Sequence, residues 1–313
     1  MGAKDIVEKI LLSHNDVFAD VINVCLFDGE QVILPEELEE QAPRSFYKVD
    51  GKFHEIERDV VKRWNQESIT IASIGIENQT RIDPNMPLRV MGYDGTDYRS
   101  QLLKGNDELY PVMTMVLYFG YDKPWSAPIS LQKRLKVFKK LKPFVTECKL
   151  NLFQIAYFNH EQVQLFKSDF RIVADYFVQM RETGKYNGST QEIKHAYETM
   201  QLIGVMGHNI QLLKQAEIVK NNPQGGPHTM KGYIDEMLEN KYEEALAEGK
   251  AEGKAEGKAE GKAEGLAEGE TNGVKKLALL MNKLFSLNRI DDAKRATKDQ
   301  KFCDDLMKEF GIA

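Results

Sequence analysis

The stretch 111-PVMTMVLYFG-120 is apolar at nearly every position and stops on a glycine, and it limits the fold more than any other part of the chain. A strand with one face in water alternates polar with apolar, so a run without alternation reads as a strand buried on both faces. Upstream, 53-FHEIERDVVKRW-64 and 69-ITIASIGIEN-78 are enriched in Ile and Val and are separated by Asn65-Gln66-Glu67-Ser68, which predicts two strands of an antiparallel hairpin. Between that hairpin and the apolar run, Leu88, Met91 or Gly92, and Leu102 or Leu103 are spaced by polar residues over Met86 to Leu103, the pattern of a helix entered after Pro84 and Pro87. Residues 3 to 26 carry Ile6, Ile10, Val17, Val21, Val24 and Leu26 in helical rhythm, and Asn15-Asp16 suggests a break between two helical pieces. The order helix, strand, strand, helix, strand defines an α/β class, with a Pro- and Glu-rich loop expected over residues 31 to 50.

The remaining 185 residues read differently. Residues 129 to 142, ISLQKRLKVFKKLK, predict a short amphipathic helix with Leu131, Leu135, Phe138 and Leu141 on one face and Lys133, Arg134, Lys136, Lys139, Lys140 and Lys142 around the rest. Helical patterns continue over 161 to 181 and 190 to 219, and 220-KNNPQGGPH-228 is a linker by composition. Beyond it, AEGK repeats from Ala247 to about Glu270. Three units follow: a core over 1 to 128, a helical region over 129 to 228, and a long, charged, helical C-terminal arm over 229 to 313.

Glycine costs about 1 kcal/mol per helical residue relative to alanine, so the repeat favours either a charged spacer or a helix packed on a partner chain. The apolar stripe Val274, Leu277, Leu280, Met281, Leu284 and Phe285 needs burial, which predicts a homo-oligomer formed through the arm.

Composition narrows the function classes. Apolar runs stay at about half of the ~20 residues that cross a bilayer, and the N-terminus lacks a basic-then-apolar leader, so no membrane association and a cytoplasmic location are expected. Three cysteines, Cys25, Cys148 and Cys303, are too few and too dispersed for a disulfide framework or a CxxC metal site. The net charge of -6 does not mark a nucleic-acid protein, so the local cluster of six positive side chains in 131 to 142 matters more than the total. That cluster suits contacts to DNA phosphates; a solvated helix face is the alternative.

Two acids in adjacent strands carry the chemistry. Asp59 and Glu77 would bring a carboxylate from each strand to one end of the sheet, with Glu77 and Gln79 on the same face as Ser73, and the carbonyl of Asn78 adds a third hard oxygen for Mg²⁺ or Mn²⁺. Such an ion acidifies a water and stabilises charge on a phosphate.

In this setting the segments FADVINVCLFDG, ERDVVKRW, IGIENQT, MPLRVMGYDG and YPVMTMVLYFG occur in the order and at the approximate spacing found in the Rpn family of recombination-promoting nucleases, also labelled transposases, of the PD-(D/E)XK superfamily. The resemblance spans about residues 4 to 120. It implies a restriction-endonuclease-like core, a mixed sheet flanked by helices, and a metal-dependent DNA endonuclease connected with recombination or transposition. By resemblance Asp59 and Glu77 become metal ligands, Gln79 stands where the motif has lysine, and Arg89 and Tyr93, four apart on the following helix, join the site. Arg89 offers the positive charge that glutamine lacks. A third acid is expected from the N-terminal helix, either Asp20 or Asp5. Glutamine at the lysine position keeps open a catalytically silent scaffold that binds DNA or oligomerises.

Overall fold

The computed structural model describes residues 10–41, 44–49, 52–66, 69–104, 109–223 and 225–312. Asp5, Ile6, Glu67 and Ser68 lie outside them. Among the described residues, five strands form a mixed sheet in the order β1 (Leu38–Glu40), β4 (Val60–Gln66), β5 (Ile69–Gln79), β6 (Val112–Tyr118), β7 (Asn151–Gln154). The β4–β5 pair is antiparallel, as the hairpin reading requires, with Val60 opposite Ile76. Strands β5 and β6 run parallel, with Glu77 opposite Val116 and Gln79 opposite Tyr118. A parallel pair needs a crossover, and helix α2 (Met86–Leu103) supplies it, on the bounds that the sequence predicts.

The apolar run is covered on both faces. Ile74, Ile76, Met115, Leu117 and Phe119 pack into a core with Val17, Phe18, Val21 and Ile22 of α1 (Asn15–Phe27) and Ile172, Val173 and Phe177 of α5 (Phe170–Thr183). On the other face, Val116 and Tyr118 pack with Met86 and Val90 of α2, Trp125 and Leu150. The N-terminal break falls at His14, between a helical turn ending at Ser13 and α1. It is fastened by buried Lys62, whose Nζ donates to the Ser13 carbonyl and Asn15 Oδ1.

Four expectations need correction. The stretch 53 to 64 is not one strand: β3 (Lys52–Glu57) pairs with β2 (Arg44–Val49), and the chain breaks at Arg58-Asp59 before β4. The break exists because Arg58 turns inward, where its Nη2 is ion-paired to Asp97 of α2 and its Nη1 donates to Thr114 Oγ1 at 3.3 Å. Second, the loop expected over 31 to 50 contains β1 and β2. Third, residues 129 to 228 are not purely helical, since β7 extends the sheet beside β6 and α5 shares the core with α1.

Fourth, the basic segment is not one helix. Only α3 (Leu131–Arg134) is α-helical; Leu135 is extended, and a 3-10 turn follows at Lys139–Phe144. A straight helix would separate residues 132 and 142 by ~15 Å, whereas the Gln132 Nε2 donates to the Lys142 carbonyl at 3.2 Å. The segment therefore folds back on itself, closed by Leu131 N–H to the Cys148 carbonyl and Leu150 N–H to the Ile129 carbonyl, both 2.9 Å.

The chain divides into two compact units, 1–237 and 238–313. In the second, the AEGK tract is helical, within a single helix α8 (Met230–Ser286) of 57 residues. The stripe expected to await a partner is partly buried within its own chain. Leu280 and Leu284 pack against Ala293 and Ala296 of α9 (Ile290–Ala296) and Cys303 and Leu306 of α10 (Gln300–Glu309). Val274, Leu279 and Phe285 stay exposed.

Candidate active site

Asp59 occupies the β3–β4 break, directly after the inward-turned Arg58. Its Oδ2 accepts the backbone N–H of Asn78 at 2.6 Å. One hydrogen bond thus joins the carboxylate of the break to the end of the neighbouring strand, where Glu77, Asn78 and Gln79 follow one another. Alternation along β5 sends Ser73, Glu77 and Gln79 to the α2 side and Ile74 and Ile76 to the core side.

Glu77 is 3% exposed. A buried carboxylate is costly unless charged or polar groups meet it, and here several do. Its Oε1 accepts from Gln79 Nε2 at 3.1 Å and is ion-paired to Arg89 Nη2. Arg89 spans three partners: Nη1 reaches Asp83 Oδ2 at 3.2 Å, and Nη2 and Nε donate to the Tyr93 hydroxyl at 3.0 and 3.3 Å. Burial works against the charge on Arg89, but Glu77, Tyr93 and Asp83 outweigh it and raise its pKa. Burial pushes the Tyr93 hydroxyl up to about 12, with the Glu77 charge acting in the same direction and Arg89 against it. Tyr93 therefore stays protonated at neutral pH.

Beneath these residues lies a polar layer that the sequence reading missed. Asp97 accepts from Arg58, from Ser73 Oγ at 3.0 Å and from Gln41 Nε2 at 3.3 Å. Asp94 Oδ1 accepts from Thr114 Oγ1 at 2.6 Å, and burial raises its pKa. Gly75 leaves room for this layer, since a Cβ there would stand 2.7 Å from Arg58 Cδ. Helix spacing offered a signal, because Tyr93 and Asp97 are four residues apart on the same face as Arg89.

The structure brings together Asp59, Glu77, Asn78, Gln79, Arg89 and Tyr93. Asp20 is placed elsewhere: its carboxylate accepts from the Lys167 amide at 2.9 Å, and from the Ser168 amide and Oγ at 2.8 and 2.6 Å. Burial raises the Asp20 pKa and those hydrogen bonds oppose it. This carboxylate fastens α1 to the segment leading into α5, a structural task that its helical position gave no sign of.

Of the basic residues, Lys133, Arg134, Lys136, Lys139 and Lys140 are all exposed. Arg134 Nε donates to Asn85 Oδ1 at 2.9 Å, and the Asn85 amide donates to Asp83 Oδ1 at 2.8 Å. Asp83 in turn holds Arg89, so a continuous set of contacts links the basic segment to Glu77.

The resemblance places an acid on one strand and Glu-x-Gln on the next; here Asp59 stands at a break between strands and is joined by a hydrogen bond to the Glu77-Asn78-Gln79 end of β5. Residues 37–203, more than half of the chain, match the profile of the family described as "Putative transposase, YhgA-like", and the chain belongs to that family, which falls within the PD-(D/E)XK nuclease-like group. No curated protein and no solved structure matches the chain. Among the described residues, no helix is long and apolar enough to cross a membrane.

Proposed function

We propose that this protein is a metal-dependent endonuclease that hydrolyses phosphodiester bonds in DNA, in recombination or transposition, on a restriction-endonuclease-like core. The hydrogen bond from the Asn78 amide to Asp59 Oδ2 carries the reading, because it unites the two acidic segments. The donor set fits Mg²⁺ or Mn²⁺: the carboxylates of Asp59 and Glu77 and the Asn78 carbonyl are hard oxygens. When bound, such an ion lowers the pKa of water and offsets charge on the phosphate. Gln79 holds the Glu77 carboxylate in place through its amide. Arg89 supplies the fixed positive charge that the motif's lysine would bring, and Tyr93, kept neutral, steadies the guanidinium. Asp20 is not part of this ligand set.

The experiment is cleavage of supercoiled plasmid with Mg²⁺ or Mn²⁺, then with EDTA. The parent is expected to nick or linearise it, EDTA to stop it, and Asp59→Ala and Glu77→Ala each to lower the rate at least ~10³-fold, the scale of ~4 kcal/mol of transition-state stabilisation. Melts without metal should show both variants folded, since Arg89 keeps Asp83 when Glu77 is removed. Cutting that persists in EDTA or in either variant removes the assignment. Binding without cutting under any metal would instead support the silent scaffold, the reading favoured by the engagement of Glu77 with both Gln79 and Arg89.

DNA contact through the basic segment belongs to the same proposal, supported by the Arg134–Asn85–Asp83–Arg89 contacts. Replacing Lys136, Lys139 and Lys140 together by alanine is expected to weaken binding to all sequences alike. The log–log salt slope should flatten by ~0.9 per lost phosphate contact. An unchanged slope returns the segment to a solvated surface. Self-association through the arm is supported by exposed Val274, Leu279 and Phe285 on α8.

A further inference from the structure

His14, His195 and Glu198 meet although the first is 181 residues before the second. One ligand atom from each lies within 4.8 Å of the others. The two imidazole rings stack with centroids 3.8 Å apart, and His14 Nε2 is 3.7 Å from Glu198 Oε1. All three side chains are part-buried, with His195 at 15% and Glu198 at 23% exposed.

The backbones that carry them are pinned. Lys62 holds the residues on either side of His14. Buried Asp169 accepts the Lys194 amide at 3.1 Å and the His195 amide at 2.5 Å. Asp16 Oδ2 stands 3.2 Å from His195 Nε2 and 2.5 Å from Lys194 Nζ. With His195 Nε2 engaged by the Asp16 carboxylate, Nδ1 is the nitrogen left to take a ligand, and a carboxylate on the opposite ring nitrogen is the outer-sphere partner usual at histidine–metal sites.

We propose that His14, His195 and Glu198 bind a zinc-class divalent ion that clips the start of α1 to the start of α6 (Ala196–Met206), with water as the fourth ligand. Two imidazoles and one carboxylate suit Zn²⁺ and its neighbours, whereas the all-oxygen set at Asp59 and Glu77 suits Mg²⁺ or Mn²⁺. Ligand atoms on a tetrahedral zinc lie ~3.3 Å apart and each imidazole lone pair lies in its ring plane, so the stacked rings do not face one ion as they stand: binding requires His14 to leave the stack by a change of rotamer while His195 keeps Asp16. Two helix N-termini oppose a cation here, and Asp16 and Glu198, one in each first turn, offset them. Function at this site is independent of the nuclease reading.

Full-length Glu77→Ala protein, stripped with a chelator, is titrated with Zn²⁺ and separately with Co²⁺; this background removes binding at the oxygen site. One equivalent should bind, the Co²⁺ form should show the intense visible bands of low coordination number, and the melting temperature should rise with Zn²⁺ but not with Mg²⁺. Adding His14→Gln and His195→Gln should weaken Zn²⁺ binding at least 100-fold, and Asp16→Asn should weaken it 10- to 100-fold. If the double-histidine variant misfolds, Glu198→Gln provides the same comparison. Absence of a stoichiometric Zn²⁺ site in the Glu77→Ala protein overturns the proposal, as does unchanged affinity in the histidine or Glu198 variants.

Discussion

Asp97→Ala is expected to cost ~3–5 kcal/mol of stability, because it leaves the buried guanidinium of Arg58 without its ion-pair partner. Arg58 and Asp97 side chains are 4% and 6% exposed. What remains for Arg58 is Thr114 at 3.3 Å and Asp94 at 3.9 Å, too little to satisfy five donors. Ser73 Oγ and Gln41 Nε2 lose an acceptor as well. Urea unfolding followed by tryptophan fluorescence reads the loss as a lower midpoint at unchanged slope. The paired replacement Arg58→Met with Asp97→Leu should recover most of it, since two apolar side chains of similar volume avoid the desolvation cost. A drop under ~1 kcal/mol for Asp97→Ala would show that the pair is solvated, and that Arg58 does not impose the chain break that positions Asp59.

Replacing Gly253, Gly257 and Gly261 by alanine should stabilise α8 by ~2.5–3 kcal/mol, at ~0.8–1 kcal/mol for each position. A Cβ at each of these glycines meets nothing within 4 Å, and none has positive φ, so the added methyls cost no strain. The wild-type tract is weak for a second reason. Its acids and its lysines recur every four residues, which places like charges, such as Glu248 and Glu252, at the spacing where they repel. Far-UV circular dichroism on heating should show the helical signal of the variant persisting to higher temperature, while the tryptophan signal of the first unit stays put. Light scattering tests the arm's proposed role alongside. A chain cut after Asn240 should lose subunits, and the alanine variant should keep the parental mass. A truncated chain with the parental subunit number would end arm-driven assembly.

Local residue patterns carried much of the fold. Strand β6, the β4–β5 hairpin, the bounds of α2 and the break before α1 were all legible, because each is written in residues that are neighbours in the chain. What stayed hidden depends on distant partners. The break at Arg58-Asp59 follows from Asp97, 39 residues later, and the folded-back basic segment from contacts between residues 129–132 and 142–150. The stripe on α8 was read correctly as apolar, but Ala293, Ala296, Cys303 and Leu306, which cover part of it, are spread over two short helices. At the site, Asp59, Glu77, Gln79, Arg89 and Tyr93 came from a sequence likeness together with strand alternation. Asp83 and Asp97 went unnoticed because an acid near a proline or on a helix face is ordinary until its arginine is found. Histidines at 14 and 195 form no motif, since only the tertiary fold brings them together.

The junction made by Asp20 with Lys167 and Ser168 bears on how the protein is made. During synthesis, every residue of the candidate site has left the ribosome by Tyr93, yet the sheet waits for β7 and the far side of the core for α5 and α6. Contacts of such high sequence separation close late, because the entropy of a long loop precedes any gain from the contacts it brings together. A nascent or prematurely terminated chain thus carries the full set of acids and no scaffold to aim them. On the proposed nuclease reading, fragments released by stalled ribosomes would therefore be inert.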